Sequence, residues 1–198
     1  MRRILLPLAA LFLVIVLVSC SSGDDGGSDA SDDTAGAETT EPAEGGDAEL
    51  QLTSASFDEG GSIPVEHAAC VDGGESDDIA PPLAWTGVPE GAEQLAVTMV
   101  DPDAAGFVHW VIAGIDPSSG GLAADEVPAG TIEALNDTGQ PGYFGPCPPE
   151  THTYVFTLHV LDRDPGIDES TAGADAVVAV EAASSASTEL TGTYDPAG

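Results

Sequence analysis

Asp101-Pro102-Asp103-Ala104 followed by Val108-His109-Trp110-Val111, and Gly142-Tyr143-Phe144-Gly145-Pro146-Cys147-Pro148-Pro149 leading into His152-Thr153-Tyr154-Val155-Phe156, decide how this chain is read. Each stretch sets a stiff proline-containing loop beside a short apolar strand. Each also supplies a carboxylate or an imidazole at the junction. Working outward, Gln94 to Val100, Phe107 to Ile115 and Thr153 to Leu161 are apolar, β-favouring runs bounded by turn residues, as strands are. Leu50 to Phe57 alternates apolar and polar residues, the pattern of a half-buried strand. Leu83-Ala84-Trp85 is a short strand closed by Gly87-Val88-Pro89-Glu90-Gly91. Gly60 to Pro64 reads as a turn and Val71 to Pro82 as a loop. Ala172 to Ala186, rich in alanine, predicts a short C-terminal helix, and Glu189 to Tyr194 a last strand. Short strands separated by Gly/Pro turns predict an all-β-dominated sandwich.

Alternation sorts the side chains of each strand. His152, Tyr154, Phe156, Leu158 and Val160 share one face, and Thr153, Val155, Thr157, His159 and Leu161 the other. His159 is then a packing or surface histidine. His67, in a polar stretch bounded by turns, reads as a surface residue. In the preceding strand Trp110 and Ile112 face one way, and His109, Val111 and Ala113 the other. Taken singly, a strand histidine is a satisfied structural residue, and Asp101-Pro102-Asp103 is a turn closed by a side-chain-to-backbone bond. Gly145 to Pro149 alone is a rigid loop. These signals gain weight only in combination and order.

The ends of the chain carry a separate message. Met1-Arg2-Arg3 precedes an almost wholly apolar run from Ile4 to Val18, then Ser19 and Cys20. Basic start, apolar stretch and small residue before cysteine form an export signal. The run is shorter than the roughly 20 residues a membrane-spanning helix needs. Leu17-Val18-Ser19-Cys20 matches a lipoprotein box, which predicts a signal peptide over 1–19 and a lipid on Cys20. Residues 20–48 hold no aromatic residue and 9 acids. Too little apolar surface is available there to offset chain entropy, so a disordered acidic tether is expected. Residues 49–198 are of one-domain size.

Charge excludes whole classes of partner. Formal net charge is −32, and loss of Arg2 and Arg3 with the signal takes it to −34. Arg163 then remains as the single basic side chain, because the sequence has no lysine, while residues 49–198 carry 26 acids. Nothing can replace phosphate counterions, so nucleic acid is not a partner. A polybasic grip on anionic lipid is excluded likewise, leaving the lipid anchor as the membrane contact. Strong self-repulsion in dilute salt predicts a salt-adapted protein. With Cys20 assigned to lipid, Cys70 and Cys147 are an even pair in an oxidising compartment. A disulfide and two separate buried thiols both remain open.

The ordered set has a family likeness. Ile63-Pro64, Pro81-Pro82-Leu83-Ala84-Trp85, Asp101-Pro102-Asp103-Ala104, His109-Trp110-Val111, Gly142-Tyr143, Gly145-Pro146-Cys147-Pro148-Pro149, His152-Thr153-Tyr154 and Leu190-Thr191-Gly192-Thr193-Tyr194 follow one another in this chain. Together they resemble the phosphatidylethanolamine-binding protein family, in its bacterial and archaeal Raf-kinase-inhibitor-like branch, from Phe57 to about Tyr194. The resemblance implies a β-sandwich, with a large antiparallel sheet packed on a smaller one, and a small surface cavity. It implies that the cavity binds phosphate-like or carboxylate anions, including phospholipid headgroups. Matching positions carry over Asp101, Asp103, His109, Gly145, Pro148, Pro149, His152 and Tyr154 as ligand-binding residues. No cofactor, metal ligand or catalytic residue is implied.

The chemistry of such a site follows from its residue types. The imidazoles of His109 and His152 can donate hydrogen bonds, with charge assistance when protonated. Asp101 and Asp103 could orient those rings or accept an ammonium group. Gly145 would let backbone approach the ligand, and the prolines hold the rim. The family usually has arginine after the second histidine, where this chain has Thr153, and its DPDAP motif ends here in Ala105. Phosphate binding is therefore expected to be weak, improving with salt and below pH about 6.5. The first functional reading is a lipid-anchored, non-enzymatic binding domain for a small anionic or zwitterionic ligand. A protein-interaction or inhibitor module, for example against a surface protease, is the alternative. A metal-dependent enzyme is the third reading, against which stands the lack of a serine-nucleophile or HExxH motif.

Overall fold

The computed structural model describes residues 49–70 and 77–197. The signal peptide read at 1–19, Cys20 and the tether at 20–48 lie outside the described residues, as do 71–76 of the loop read from Val71. In chain order the elements are β1 (Gln51–Ser54), β2 (Gly61–Ser62), β3 (Leu83–Thr86), β4 (Gln94–Asp101) and β5 (Phe107–Ile115). They are followed by β6 (Gly121–Leu122), β7 (Ile132–Glu133), β8 (His152–Leu161), α1 (Gly173–Ala183) and β9 (Ser184–Tyr194).

Six strands form the larger sheet in the order β2-β9-β8-β4-β5-β7, and three form the smaller in the order β1-β3-β6. Every pairing is antiparallel except the short β2–β9 contact. Two cores lie on opposite faces of the larger sheet. One holds Leu52, Leu83, Trp85 and Leu122 of the smaller sheet against Met99, Trp110, Phe156 and Leu158. The other packs Ala176, Val180 and Ala183 of α1 against Ala96, Val111, Ala113 and Leu161. Covered on both faces, β4 is buried at every residue from Leu95 to Met99, which explains its near-continuous apolar run. Burying one aliphatic or aromatic side chain here stabilises the fold by roughly 1.5–3 kcal/mol.

The expected sandwich is therefore present, with differences in detail. The helix read to Ala186 stops at Ala183, because Ser184 already pairs with Leu161 and β9 runs back from Glu189 to that point. Ladder bonds to β8 override the weak helical preference of Ser184 and Ser185. β1 is shorter than the alternation from Leu50 to Phe57 indicates. The two-residue strands β2, β6 and β7 carry no periodicity from which to read them.

One correction bears directly on function. Met99 opposes Trp110, but the next partner of Val100 is Val108, so His109 is left unopposed in a β-bulge. Val108 then packs in the helix-side core with Val111. His109 packs on Tyr154 instead, on the face of Trp110 rather than that of Val111. Simple alternation fails because the extra residue resets the phase, as bulges do.

Candidate functional site

β4, β5 and β8 bring their loop-proximal ends together. Asp101 ends β4, Phe107 opposes it on β5, and His152 starts β8. The loop from Tyr143 to Pro149 closes the remaining side. Between them lies a cavity of about 140 Å³, lined by Asp101, Ala104, Phe107, His109, Phe144, Cys147, Pro148, Pro149, His152 and Tyr154.

The Asp101 carboxylate organises this corner. One oxygen accepts the backbone N–H groups of Asp103 and Ala104 at 2.8 and 3.0 Å. The other accepts from His152 Nδ1 at 2.7 Å, and Asp101 is only 2% exposed. The turn beyond it returns with Ala105 at φ 58° and Gly106 at φ 81°. Proline, confined to φ near −65°, could not take the Ala105 conformation. Asp103 does not line the cavity. Its carboxylate accepts the Thr153 N–H at 2.8 Å and so ties the turn to the start of β8.

His109 is held equally firmly. Nδ1 donates to the Phe144 carbonyl at 2.6 Å, and the Phe144 N–H donates back to the His109 carbonyl at 3.0 Å. The ring stacks on Phe144 with centroids 5.7 Å apart, meets Tyr154 edge-on at 5.2 Å and lies 4.8 Å from Phe107. Burial pushes its pKa below the ordinary histidine value, against the opposing pull of the Phe144 bond and of Asp101, Asp137 and Asp78. A carbonyl can only accept, so Nδ1 carries the proton and the neutral ring presents a lone pair at Nε2. That corrects the expectation that this imidazole donates to a ligand. Among the described residues the buried Tyr154 hydroxyl has no hydrogen-bond partner of standard geometry, yet it lies near enough to Asp101 to feel its charge. Burial first, then that carboxylate, raises its pKa well above the usual phenol value.

Gly145 is also repositioned. Its backbone faces protein rather than the cavity: a Cβ there would meet the His67 carbonyl oxygen at 2.2 Å and the Ala69 nitrogen at 2.7 Å. Its N–H donates to Asp78 at 2.7 Å. Close approach is thus required, but between the rim loop and residues 67–69. His67 is not a surface residue. It is 3% exposed, with ring nitrogens bonded to the Ile79 carbonyl and the Ser56 hydroxyl. Tyr143 donates its hydroxyl to the His67 carbonyl at 2.8 Å, so this segment backs the rim. A disulfide joins Cys70 to Cys147, with Cα atoms 5.1 Å apart, which decides the question left open above. His159 is buried and bonds Thr98 at 3.2 Å, a packing residue.

Six of the eight carried-over residues line one cavity, and Asp103 and Gly145 support it from outside. Ala104, Phe107, Phe144 and Cys147 were missed. Phe107 was findable, since it opens the strand that carries His109, and Phe144 lies inside the quoted loop motif. Among the described residues no cluster of His, Cys, Asp and Glu is arranged to hold a metal ion.

Comparison with known proteins agrees with this fold. Residues 53–195 match the family model described as phosphatidylethanolamine-binding protein. The chain is 36% identical over 202 residues to the "Putative lipoprotein LppC" of Mycobacterium tuberculosis, covering 98% of each. It is 32% identical over 162 residues to YbcL of Escherichia coli, covering 75% of this chain and 88% of that protein. The crystal structure of YbcL superposes with a TM-score of 0.70 at 31% identity, covering 75% of this chain and 99% of the other.

Proposed function

The chain belongs to the phosphatidylethanolamine-binding protein family, and on that premise we propose that it is a non-enzymatic binding protein, anchored outside the cytoplasm by a lipid on Cys20. Its cavity captures a small polar ligand of headgroup size. One observation carries the reading: two imidazoles are fixed through Nδ1, at 2.6 and 2.7 Å from protein acceptors, and face a common cavity. Rings so held lose little freedom when a ligand arrives. The lining includes no serine or threonine hydroxyl, and Cys147 is tied up in the disulfide. The Tyr154 hydroxyl is the one hydroxyl in that lining, and its raised pKa makes it a poor nucleophile for the His152–Asp101 pair to activate. Export is supported by the lipoprotein box, by likeness to a protein named as a lipoprotein over nearly the whole chain, and by the bridged cysteines.

The test is a thermal-shift titration of the chain from residue 20 in high salt, with Cys20→Ser to keep it lipid-free. Phosphate, acetate, phosphoethanolamine and ethylammonium would be compared. A saturable rise in melting temperature that disappears in His152→Ala is expected for at least one of them. No rise with any of the four would refute a ligand pocket and favour a protein partner.

A further inference from the structure

We propose that the groove between the free edge of β1 and β9 docks an extended, lysine- or arginine-bearing segment of a partner protein, which joins the smaller sheet as an added strand beside β1.

The hydrogen-bond pattern leaves that edge open. β1 is an outer strand of the smaller sheet, with β3 as its neighbour. The Trp85 N–H donates away from β1, to the Gly120 carbonyl at 3.0 Å. Leu52 opposes Trp85, so the two form a non-hydrogen-bonded pair and Leu52 turns its own N–H and C=O outward. Ser54, two residues on, repeats that direction. Leu52 is only 6% exposed, and an added strand supplies the partners that such low-lying backbone groups take.

A groove of about 370 Å³ runs along this edge. Residues 49–54 form one wall, 188–190 of β9 the other, and 57–59 close one end. Leu52, Phe57 and Leu190, which belong to the core between the sheets, give it an apolar floor. On β9 the outer edge is covered from Thr191 onward. There the Gly60 N–H donates to the Thr191 carbonyl at 2.9 Å, the Thr191 N–H donates to Glu59 at 2.8 Å, and β2 pairs with Gly192 and Thr193. Glu189 shares the outward direction of Thr191, so its N–H and C=O lie on the groove's edge. The four residues of β1 span about 13 Å, room for an extended segment of similar length.

Charge decides the occupant. Glu49, Asp58, Glu59 and Glu189 line the groove, all exposed, and no basic residue lines it. The chain's own residues 20–48 would bring 9 further acids, and a second copy the 26 of residues 49–198. Both are repelled, and charge on a strand edge is a common guard against pairing between copies. The same carboxylates attract a basic segment. Alternation then sets its pattern. Inward side chains meet Phe57 and Leu190 and are apolar, whereas outward ones, on the side of the exposed Gln51 and Thr53, are basic. None of the groove residues lines the histidine cavity, and Thr188 lies about 20 Å along β9 from Tyr194, which opposes His152.

The test is calorimetric titration of the chain from residue 20, with Cys20→Ser, against a capped hexapeptide of alternating lysine and valine. One control replaces each lysine by glutamate. The other is the lysine–valine peptide N-methylated at every residue, which keeps the charge but has no N–H with which to pair. The lysine–valine peptide is expected to saturate a single site and to bind at least about tenfold more tightly than either control. Its affinity should fall as potassium chloride is raised to about 2 M. It should also fall in the double variant Glu49→Gln/Glu189→Gln, which should leave the melting shift produced by small ligands unchanged. Hydrogen exchange of the unmodified protein locates the contact. The Leu52 amide should slow on binding, while those of Gln51 and Thr53, already paired with β3, stay as they are. Equal binding of the N-methylated peptide, or binding without protection of Leu52, means adhesion to acidic surface at large and overturns the proposal. Absence of binding, or tighter binding of the glutamate peptide, overturns it too. Each of these failures leaves the small-ligand reading of the histidine cavity standing, because that site is tested by other ligands and another variant.

Discussion

Asp101→Asn replaces one oxygen by an NH2 group and should reverse the hydrogen bond to His152. In the native protein the carboxylate accepts from His152 Nδ1 at 2.7 Å, from Asp103 N at 2.8 Å and from Ala104 N at 3.0 Å. An asparagine can keep its oxygen on the two backbone donors, which turns its NH2 towards His152. The ring must then accept at Nδ1 and carry its proton at Nε2, the tautomer that donates into the cavity. Hydrogen bonds to a charged group contribute about 1.5–3 kcal/mol each and neutral ones about 0.5–1.5 kcal/mol, so weakening three bonds while conserving them should cost about 3–4 kcal/mol in total. For a domain of this size that corresponds to a fall in Tm of about 6–16 °C. Losing one negative charge from so acidic a chain acts in the opposite sense, so melts belong in high salt, where that effect is screened. Long-range proton–nitrogen correlation spectra at pH 8 read the tautomer directly. The protonated nitrogen of His152 should move from Nδ1 to Nε2 while His109 stays unchanged. A variant whose His152 remains protonated at Nδ1, or whose Tm is unaltered in high salt, would show that Asp101 does not set the ring.

Replacing Cys70 and Cys147 together by serine opens a link between residues 77 apart. Chain entropy alone sets that at about 4.5 kcal/mol, and a measured loss of about 2–4 kcal/mol by urea unfolding is expected, with weaker ligand binding because Cys147 lines the cavity. Unchanged stability would remove the bridge as a structural element. Gly145→Ala drives a methyl into the backbone of residues 67–69 and should destabilise the chain by about 1–3 kcal/mol or more, checked by the same unfolding curves. His159, pushed down to about 4 by burial, is neutral in the fold while the unfolded chain protonates near pH 6.5. The unfolded state therefore binds more protons across that window. Stability has its full value above pH 6.5 and falls towards pH 4 by up to about 3 kcal/mol, a slope that His159→Gln should flatten. With 26 acids in residues 49–198, Tm should rise between dilute and multimolar potassium chloride, and equal melting in both would end the salt-adaptation idea.

Local pattern alone determined much of this protein. The extents of β4, β5 and β8 were legible because β-branching and aromatic content are written residue by residue, and the two-sided core required the unbroken run in β4. The order of the aspartate turn, the two histidines and the proline-rich rim carried the family resemblance, which implied one cavity, and Asp101, His109, Pro148, Pro149, His152 and Tyr154 do line one. Charge, likewise a simple count, set the expectation that nucleic acid is not a partner. Tertiary structure alone decided what depends on residues distant in sequence. The face of His109 follows from a cross-strand register that skips one residue, which no single strand reveals. Burial of His67 follows from Ser56 and Ile79 arriving at its two nitrogens, and the tight fit at Gly145 from the passage of residues 67–69. The Cys70–Cys147 bridge required two loops to meet. Which nitrogen of each ring is held by the protein was decided last, by the acceptor the fold sets opposite it: the Phe144 carbonyl for Nδ1 of His109, the Asp101 carboxylate for Nδ1 of His152.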